Sequence, residues 1–209
     1  MGSVSKILNK LFNKSVKTTS APPSNNEVSS GASYHWCRII MEKETSRLIG
    51  NLDKSKLDTL EISGNKWESY GFNSYQTVSF PDFDICKDVL DRKYDLIIAE
   101  QVFEHLLYPY RAGKNVYNML TEGGCFLITT PFLLKYHPEP NDCSRWTETG
   151  LRYFLEECGY TINNIATGSW GNKRCLVDNL DGWTAYNPSS HSLDNEIEYP
   201  LVVWALAIK

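Results

Sequence analysis

The segment Tyr94–Pro131 constrains the fold of this chain more than any other part of the sequence. It starts with the predicted strand Asp95–Ala99, four apolar residues after an aspartate, and it closes with a second, mostly apolar run, Cys125–Thr130. Pro131 stops the second run because proline cannot donate to a strand ladder. An acidic turn, a helical pattern and the pair Gly123-Gly124 lie between the two runs. Apolar runs of this length are typical of strands covered on both faces, so the segment predicts two strands of a parallel sheet joined by a helix.

The side chains that could do chemistry follow the first of these strands. They are Glu100, Gln101, Glu104 and His105. Open α/β sheets bind their ligands at the carboxyl ends of the strands. The sequence therefore predicts a ligand site at this edge of the sheet.

The rest of the chain repeats the alternation of strand and helix patterns. Further strands are predicted at Leu57–Ile62, Tyr75–Phe80, Thr161–Thr167 and Pro200–Ile208, and helices at 34–52, Tyr108–Leu120 and Thr149–Cys158. This alternation predicts a doubly wound sheet with helices on both faces. We expect residues 33–209 to form a single α/β domain.

Composition narrows the classes of function. The net charge of −4 argues against a broad nucleic-acid surface. The six cysteines are scattered and form no CxxC pair, which predicts a reduced, cytoplasmic protein without a cysteine-based zinc site. We assign no metal-binding residues from the sequence.

The N-terminal part of the chain differs in character from the predicted domain. Residues 1–17 form a basic segment, in which residues 3–14 alternate lysines with apolar residues at helical spacing. A short amphipathic helix of this kind could make a weak contact with an anionic membrane surface or a partner protein, or it could be a frayed terminus. Residues 18–32 are rich in serine and proline and are predicted to be a flexible linker.

The order of signals in Tyr94–Pro131 resembles that of the class I S-adenosylmethionine (SAM) dependent methyltransferases. The resemblance lies in Tyr94-Asp95, an apolar run, Glu100-Gln101, Glu104-His105, a helix, Gly123-Gly124 and Pro131. It implies a Rossmann-like doubly wound sheet that is mostly parallel, with an antiparallel C-terminal strand beside the fifth. It also implies SAM as the cofactor.

The first half of the predicted domain departs from that family. Members usually carry a glycine-rich turn, E-x-G-x-G-x-G, after the first strand, whereas this chain has Glu61 and Gly64 with Ser63, Asn65 and Trp67 among them. An ordinary strand-to-loop turn is the alternative interpretation. The stretch from Glu61 to Tyr94 is about half of what two βα units need, at about 30 residues for a βαβ unit. We therefore expect an abbreviated first half, in which one βα unit is missing or reduced to a loop.

The resemblance also implies which residues contact the cofactor. These are Glu61, Ser63, Gly64, Asp84, Ile85, Glu100, Gln101 and His105. In the family, the strand end at Glu100 and Gln101 lies beneath the methionine part of SAM, and Asp84 matches the aspartate that meets the adenine amino group.

The stretch after Pro131 resembles the P…H…D-x-x-R-[WFY]-T pattern of methyltransferases from sugar and cell-surface polysaccharide pathways. It implies His137 as a catalytic base, Asp142 as its orienting group or as a ligand of an acceptor hydroxyl, and Arg145 as a ligand of a substrate phosphate or carboxylate. Trp146 could stack on a sugar. The alternative is a structural loop held by an Asp142–Arg145 pair, with Thr147 capping the next helix.

These features together predict a SAM-dependent methyltransferase that acts on a hydroxyl or amine of a sugar or glycan precursor. A second hypothesis is a degenerate methyltransferase fold without SAM turnover that serves as an interaction module. A later aromatic region around Trp183 could be a lid or ordinary surface packing.

Overall fold

A computed structural model describes residues 34–209, so the predicted basic segment 1–17 and the linker 18–32 lie outside the described residues. The described chain forms one six-stranded sheet in the order β2-β1-β3-β4-β6-β5. The strands are β1 (Asp58–Ile62), β2 (Ser74–Val78), β3 (Tyr94–Glu100), β4 (Leu120–Pro131), β5 (Ile165–Trp170) and β6 (Val202–Ile208). The α-helices are α1 (Ile39–Gly50), α2 (Pro109–Met119), α3 (Glu148–Glu157) and α4 (Lys173–Asp178). The described residues also form 3₁₀ turns at Trp36–Arg38, Lys54–Lys56, Glu68–Tyr70, Phe103–His105 and Ile162–Asn164.

The strand directions confirm the predicted doubly wound, mostly parallel sheet. Strand β1 pairs in parallel with β2 and β3, and β3 pairs in parallel with β4. The C-terminal strand β6 lies between β4 and β5 and is antiparallel to both. Strand β4 begins earlier than expected because Leu120 already pairs with Tyr94, and β5 begins later because Ile162–Asn164 forms a 3₁₀ turn.

The buried apolar runs are explained by cores on both faces of the sheet. Along β3, Ile97 and Ala99 face the core that contains α2 and α3, whereas Leu96 and Ile98 face the core that contains α1. Successive side chains of a strand point to opposite faces, so a strand covered on both sides has to be apolar at every position. This packing accounts for the central pattern of the sequence.

The first half of the domain is abbreviated, as expected. The connection from β1 to β2 spans residues 63–73 and contains only the 3₁₀ turn Glu68–Tyr70. The connection from β2 to β3 spans residues 79–93 and contains no helix. The helices that would cover this end of the sheet are therefore replaced by loops. Within residues 34–209, no helix has both the length and the apolar character needed to cross a membrane.

Candidate functional site

A cavity of about 360 Å³ lies at the carboxyl ends of β1 and β3. Five of the residues predicted to contact the cofactor line it: Ser63, Asp84, Ile85, Gln101 and His105. The loop after β4 contributes Pro140 and Asn141 to the same wall, and Phe80, Leu107 and Tyr108 lie at its apolar side. The structure thus brings the ends of two neighbouring parallel strands to one cleft with the loop after β4, which is predicted to bind the methyl acceptor and is called the acceptor loop.

The two strand ends turn sharply where they meet the cavity. Ser63 and Gln101 have φ angles of 64° and 56°, which are uncommon for residues other than glycine. The amide of Ser63 donates to the carbonyl of Val78 at 2.8 Å, and the amide of Gln101 donates to the carbonyl of Thr129 at 3.0 Å. The Gln101 side-chain amide also donates to Thr129 Oγ1 at 3.1 Å. Strained backbone of this kind clusters at functional sites, where neighbouring bonds hold it in place.

Glu61 does not line the cavity but holds the loop that follows β1. Its side chain is buried, and its carboxylate accepts from the Tyr75 hydroxyl at 2.6 Å and from the amides of Trp67 at 3.0 Å and Lys66 at 3.3 Å. A Cβ atom at Gly64 would lie only 2.6 Å from Glu61 Oε1. Glycine at this position therefore allows the carboxylate to reach its donors, and both residues shape the loop rather than face the cavity.

Glu100 is also outside the lining of the cavity, because it pairs with a lysine. Lys66 Nζ lies 2.8 Å and 3.0 Å from the two oxygens of Glu100, and 3.7 Å from Glu42 Oε1 on α1. This ion pair covers the ends of β1 and β3 beside the cavity. Glu100 is one of the residues for which the resemblance predicts a place beneath the methionine part of SAM.

Asp84 lies in a turn at the cavity wall. Its Oδ1 accepts from the amide of Cys86 at 3.0 Å, and its Oδ2 lies 2.8 Å from Lys87 Nζ. The hydrogen bond from Lys87 holds the pKa of Asp84 below its ordinary value, so this side chain is an acceptor. Ile85 is buried next to it and presents an apolar surface to the cavity.

The three predicted catalytic residues come together in the loop after β4. The guanidinium of Arg145 donates to both oxygens of Asp142, at 2.6 Å for the Nη2–Oδ2 contact. Asp142 Oδ2 also accepts from the backbone amide of His137 at 2.9 Å. Burial alone would raise the pKa of Asp142, but the hydrogen bonds from Arg145 and from the His137 amide lower it below its ordinary value. The Asp142–Arg145 pair, which the alternative of a structural loop predicted, is therefore present, and it holds the backbone of His137 in place.

The imidazole of His137 is oriented mainly by a carbonyl rather than by Asp142. Its Nδ1 lies 3.1 Å from the carbonyl oxygen of Lys135 and 3.5 Å from Asp142 Oδ2. Nδ1 also lies 3.4 Å from Arg145 Nη2, which only donates, whereas the Lys135 carbonyl only accepts. The shorter carbonyl contact favours the neutral tautomer with hydrogen on Nδ1, in which Nε2 keeps its lone pair. The His137 ring packs edge-on against the cavity residue His105, with 5.3 Å between the ring centroids.

The structure corrects the expectation that Trp146 stacks on a sugar. Trp146 is buried and packs against Phe154 at 5.2 Å, because it precedes α3 and belongs to the core under that helix. The exposed indole near the loop is instead Trp183, which is 44% exposed and lies 5.6 Å from the His137 ring. The sequence did not predict this contact, because Trp183 and His137 are far apart along the chain. The only indication of a role for Trp183 was the aromatic region around it.

Glu104 is the least conventional residue of the site. Its side chain is 1% exposed, and within residues 34–209 neither carboxylate oxygen has a hydrogen-bond partner. Desolvation raises the pKa of Glu104 to about 7. The sequence placed it near the strand end but gave no indication of its burial.

Comparisons of the sequence found neither a matching family model nor a matching curated protein. Comparison of the structure gave many matches. A SAM-dependent methyltransferase from Archaeoglobus fulgidus is 13% identical with a TM-score of 0.53, over 81% of this chain and 94% of that one. The O-methyltransferase of a trans-AT polyketide synthase multienzyme of Brevibacillus brevis, solved with S-adenosyl-L-homocysteine (SAH), is 14% identical with a TM-score of 0.51, over 85% of this chain and 81% of that one. This chain has the fold of the class I SAM-dependent methyltransferases.

Proposed function

We propose that this protein is a SAM-dependent methyltransferase whose acceptor is a hydroxyl or amine of a sugar or glycan precursor. The observation that carries the proposal is the cavity at the ends of β1 and β3, in a fold shared with methyltransferases. Ligands of open α/β sheets bind at this edge. A volume of about 360 Å³ falls within the roughly 300–1,000 Å³ of small-molecule sites.

The lining of the cavity suits the nucleoside end of SAM. Asp84 offers a hydrogen-bond acceptor, Ser63 and Gln101 offer polar groups at the strand ends, and Ile85 offers an apolar wall. SAM supplies an activated methyl group on a sulfonium. We assign its amino-acid end to Lys66 and Glu100, whose ammonium and carboxylate complement the two charges there.

The acceptor side is formed by the loop after β4. His137 Nε2 has a free lone pair and can take the proton of an acceptor hydroxyl, which typically contributes about 10²–10⁴-fold to the rate. The exposed face of Trp183 beside it can stack on a sugar ring. The partly buried pair of Asp142 and Arg145 keeps the His137 backbone in place and so acts as a positioning element.

Titration calorimetry of the full chain with SAM and with SAH tests the proposal. We expect binding of both. Absence of heat with either ligand at millimolar concentration would refute it, provided that circular dichroism shows a folded protein.

The substitution His137→Ala tests the assignment of the acceptor side. SAH binding should remain, whereas SAH release from SAM with a panel of nucleotide sugars should fall by roughly 10²–10⁴-fold. Equal loss of binding and turnover would instead indicate a structural role for this histidine.

The interaction-module hypothesis is the second candidate, and the Lys66–Glu100 pair favours it. These side chains cover the strand ends where the amino-acid end of a cofactor would lie. In this case neither ligand binds in calorimetry, and deletion of residues 1–30 abolishes binding to a partner protein or to anionic liposomes. Unchanged binding after the deletion would contradict this candidate.

A further inference from the structure

Three side chains with metal-ligating atoms converge beside the cavity: Glu104, His105 and His137. One ligand atom from each lies within 4.8 Å of the other two. We propose that they form a binding site for a divalent transition-metal ion of the Zn²⁺ type. The site would lie on the acceptor side of the cavity, which His105 lines.

The carboxylate of Glu104 is the first argument for a cation. It is almost completely buried, and no hydrogen-bond donor among the described residues reaches either oxygen. Its nearest polar neighbour is His105 Nε2, 3.6 Å from Oε1. Buried polar groups are nearly always satisfied, and an unpaired buried carboxylate is costly. A metal ion between the carboxylate and the imidazoles would supply the missing partner.

The tautomers of the two histidines are the second argument. His105 Nδ1 lies 2.5 Å from the carbonyl oxygen of Asn141, and His137 Nδ1 lies 3.1 Å from that of Lys135. Both carbonyls accept, so these contacts favour the neutral tautomer with hydrogen on Nδ1 of each ring, which leaves the lone pair of each Nε2 for a metal. Metal-ligating histidines are oriented in this way by carbonyl or carboxylate partners of the other ring nitrogen.

The neighbouring charges are compatible with a cation. Arg145 Nη2 lies 3.4 Å from His137 Nδ1, the ring nitrogen that the proposed metal does not use. Both oxygens of Asp142 bind the guanidinium, so the charge of Arg145 is neutralised within the pair. Neither oxygen of Glu104 has a hydrogen-bond partner among the described residues, so Glu104 is the unpaired acid of the cluster.

The set of donors indicates the class of metal. Two imidazoles and one carboxylate leave a coordination position open, as in catalytic zinc sites and in the facial triads of non-haem iron. Resting on the proposed function, the open position would bind the acceptor oxygen and orient it toward the cavity. Because Nε2 of His137 has a single lone pair, it acts as the base in the metal-free protein and as a ligand when the metal is bound.

Metal binding can be measured on the untagged full-length protein after treatment with EDTA. Titration calorimetry with ZnCl₂ should show one site. Addition of Co²⁺ should give visible absorption bands of a low-coordinate site with nitrogen and oxygen ligands. Glu104→Gln and His137→Ala should each weaken Zn²⁺ binding by more than about 100-fold, beyond the roughly 10–100-fold typical of outer-shell partners.

Two controls exclude other ligands. The double variant His35→Gln/His191→Gln removes the two histidines outside the cluster, and Cys143→Ser removes the exposed thiol near His105. Both should bind Zn²⁺ with unchanged affinity. Absence of binding to the parent protein, an equal loss with Cys143→Ser, or full binding by Glu104→Gln with a native circular dichroism spectrum would overturn the proposal. The titration contains no SAM, so its outcome is independent of whether SAM binds.

Discussion

Two connections between parallel strands flank the cavity, and they are stabilised by different interactions. The connection from β3 to β4 contains α2, which buries Ala112, Val116 and Met119 against the sheet. The connection from β1 to β2 is a loop of residues 63–73, folded around the carboxylate of Glu61. Parallel strands usually need a crossover of a dozen or more residues, most often a helix. The comparison shows that a short loop can take the place of a helix when a buried acid with three donors and the buried ring of Trp67 hold it.

The difference predicts distinct responses to substitution. Apolar burial along α2 is distributed over several side chains, so damage there should lower the stability of the whole domain. In the loop the hydrogen bonds converge on one group, so damage should open the loop locally and change the adjacent cavity.

The largest effect is expected for Met119→Ala in α2. Met119 is fully buried, and truncation of such a side chain costs about 2–5 kcal/mol. Urea unfolding followed by tryptophan fluorescence should show this loss. Asn118→Ala, at the exposed neighbouring position, should stay within about 0.5 kcal/mol of the parent. Similar effects of both substitutions would show that α2 is not the apolar support described here.

A smaller global effect and a larger local one are expected for Glu61→Gln. The amide cannot accept from all three donors, and one unsatisfied buried group costs roughly 1–3 kcal/mol. Hydrogen exchange should show faster exchange of the amides of Lys66 and Trp67. Glu68→Gln, at an exposed position of the same loop, is the matched control. Unchanged exchange in Glu61→Gln would contradict the role given to this carboxylate.

The sequence predicts the two connections unequally well. The segment Tyr94–Pro131 is covered by apolar cores on both faces, so its composition alone indicates strand, helix and strand. The shortening of the first half could be predicted, because the stretch from Glu61 to Tyr94 is too short for two βα units. The pairing of Lys66 with Glu100 could not be predicted from the sequence. It follows a left-handed turn at Ser63, and no residue pattern indicates that turn.

The acceptor loop illustrates the same limit. A spacing of three residues makes the Asp142–Arg145 pair predictable, and it forms. The burial of Trp146 and of Glu104 could not be foreseen, since burial depends on which elements pack over a residue. Likewise, the contact between His137 and Trp183 joins parts of the chain that are far apart in sequence.

The smallest effect on stability is expected for Lys66→Met at the end of the loop. Its ammonium is partly exposed, and such ion pairs contribute at most about 1 kcal/mol. Lys56→Met removes the exposed pair with Asp53 and is the matched control for loss of a lysine.

The effect of Lys66→Met on SAH binding separates the two hypotheses for the first half. If Lys66 binds the carboxylate of the ligand, Lys66→Met weakens SAH binding; if the pair with Glu100 blocks the strand ends, the same substitution strengthens it. We expect weaker binding, because Glu100 remains to meet the ammonium of the ligand while the carboxylate loses Lys66. Lys87, which lines the cavity, is paired with Asp84 and is not expected to replace it.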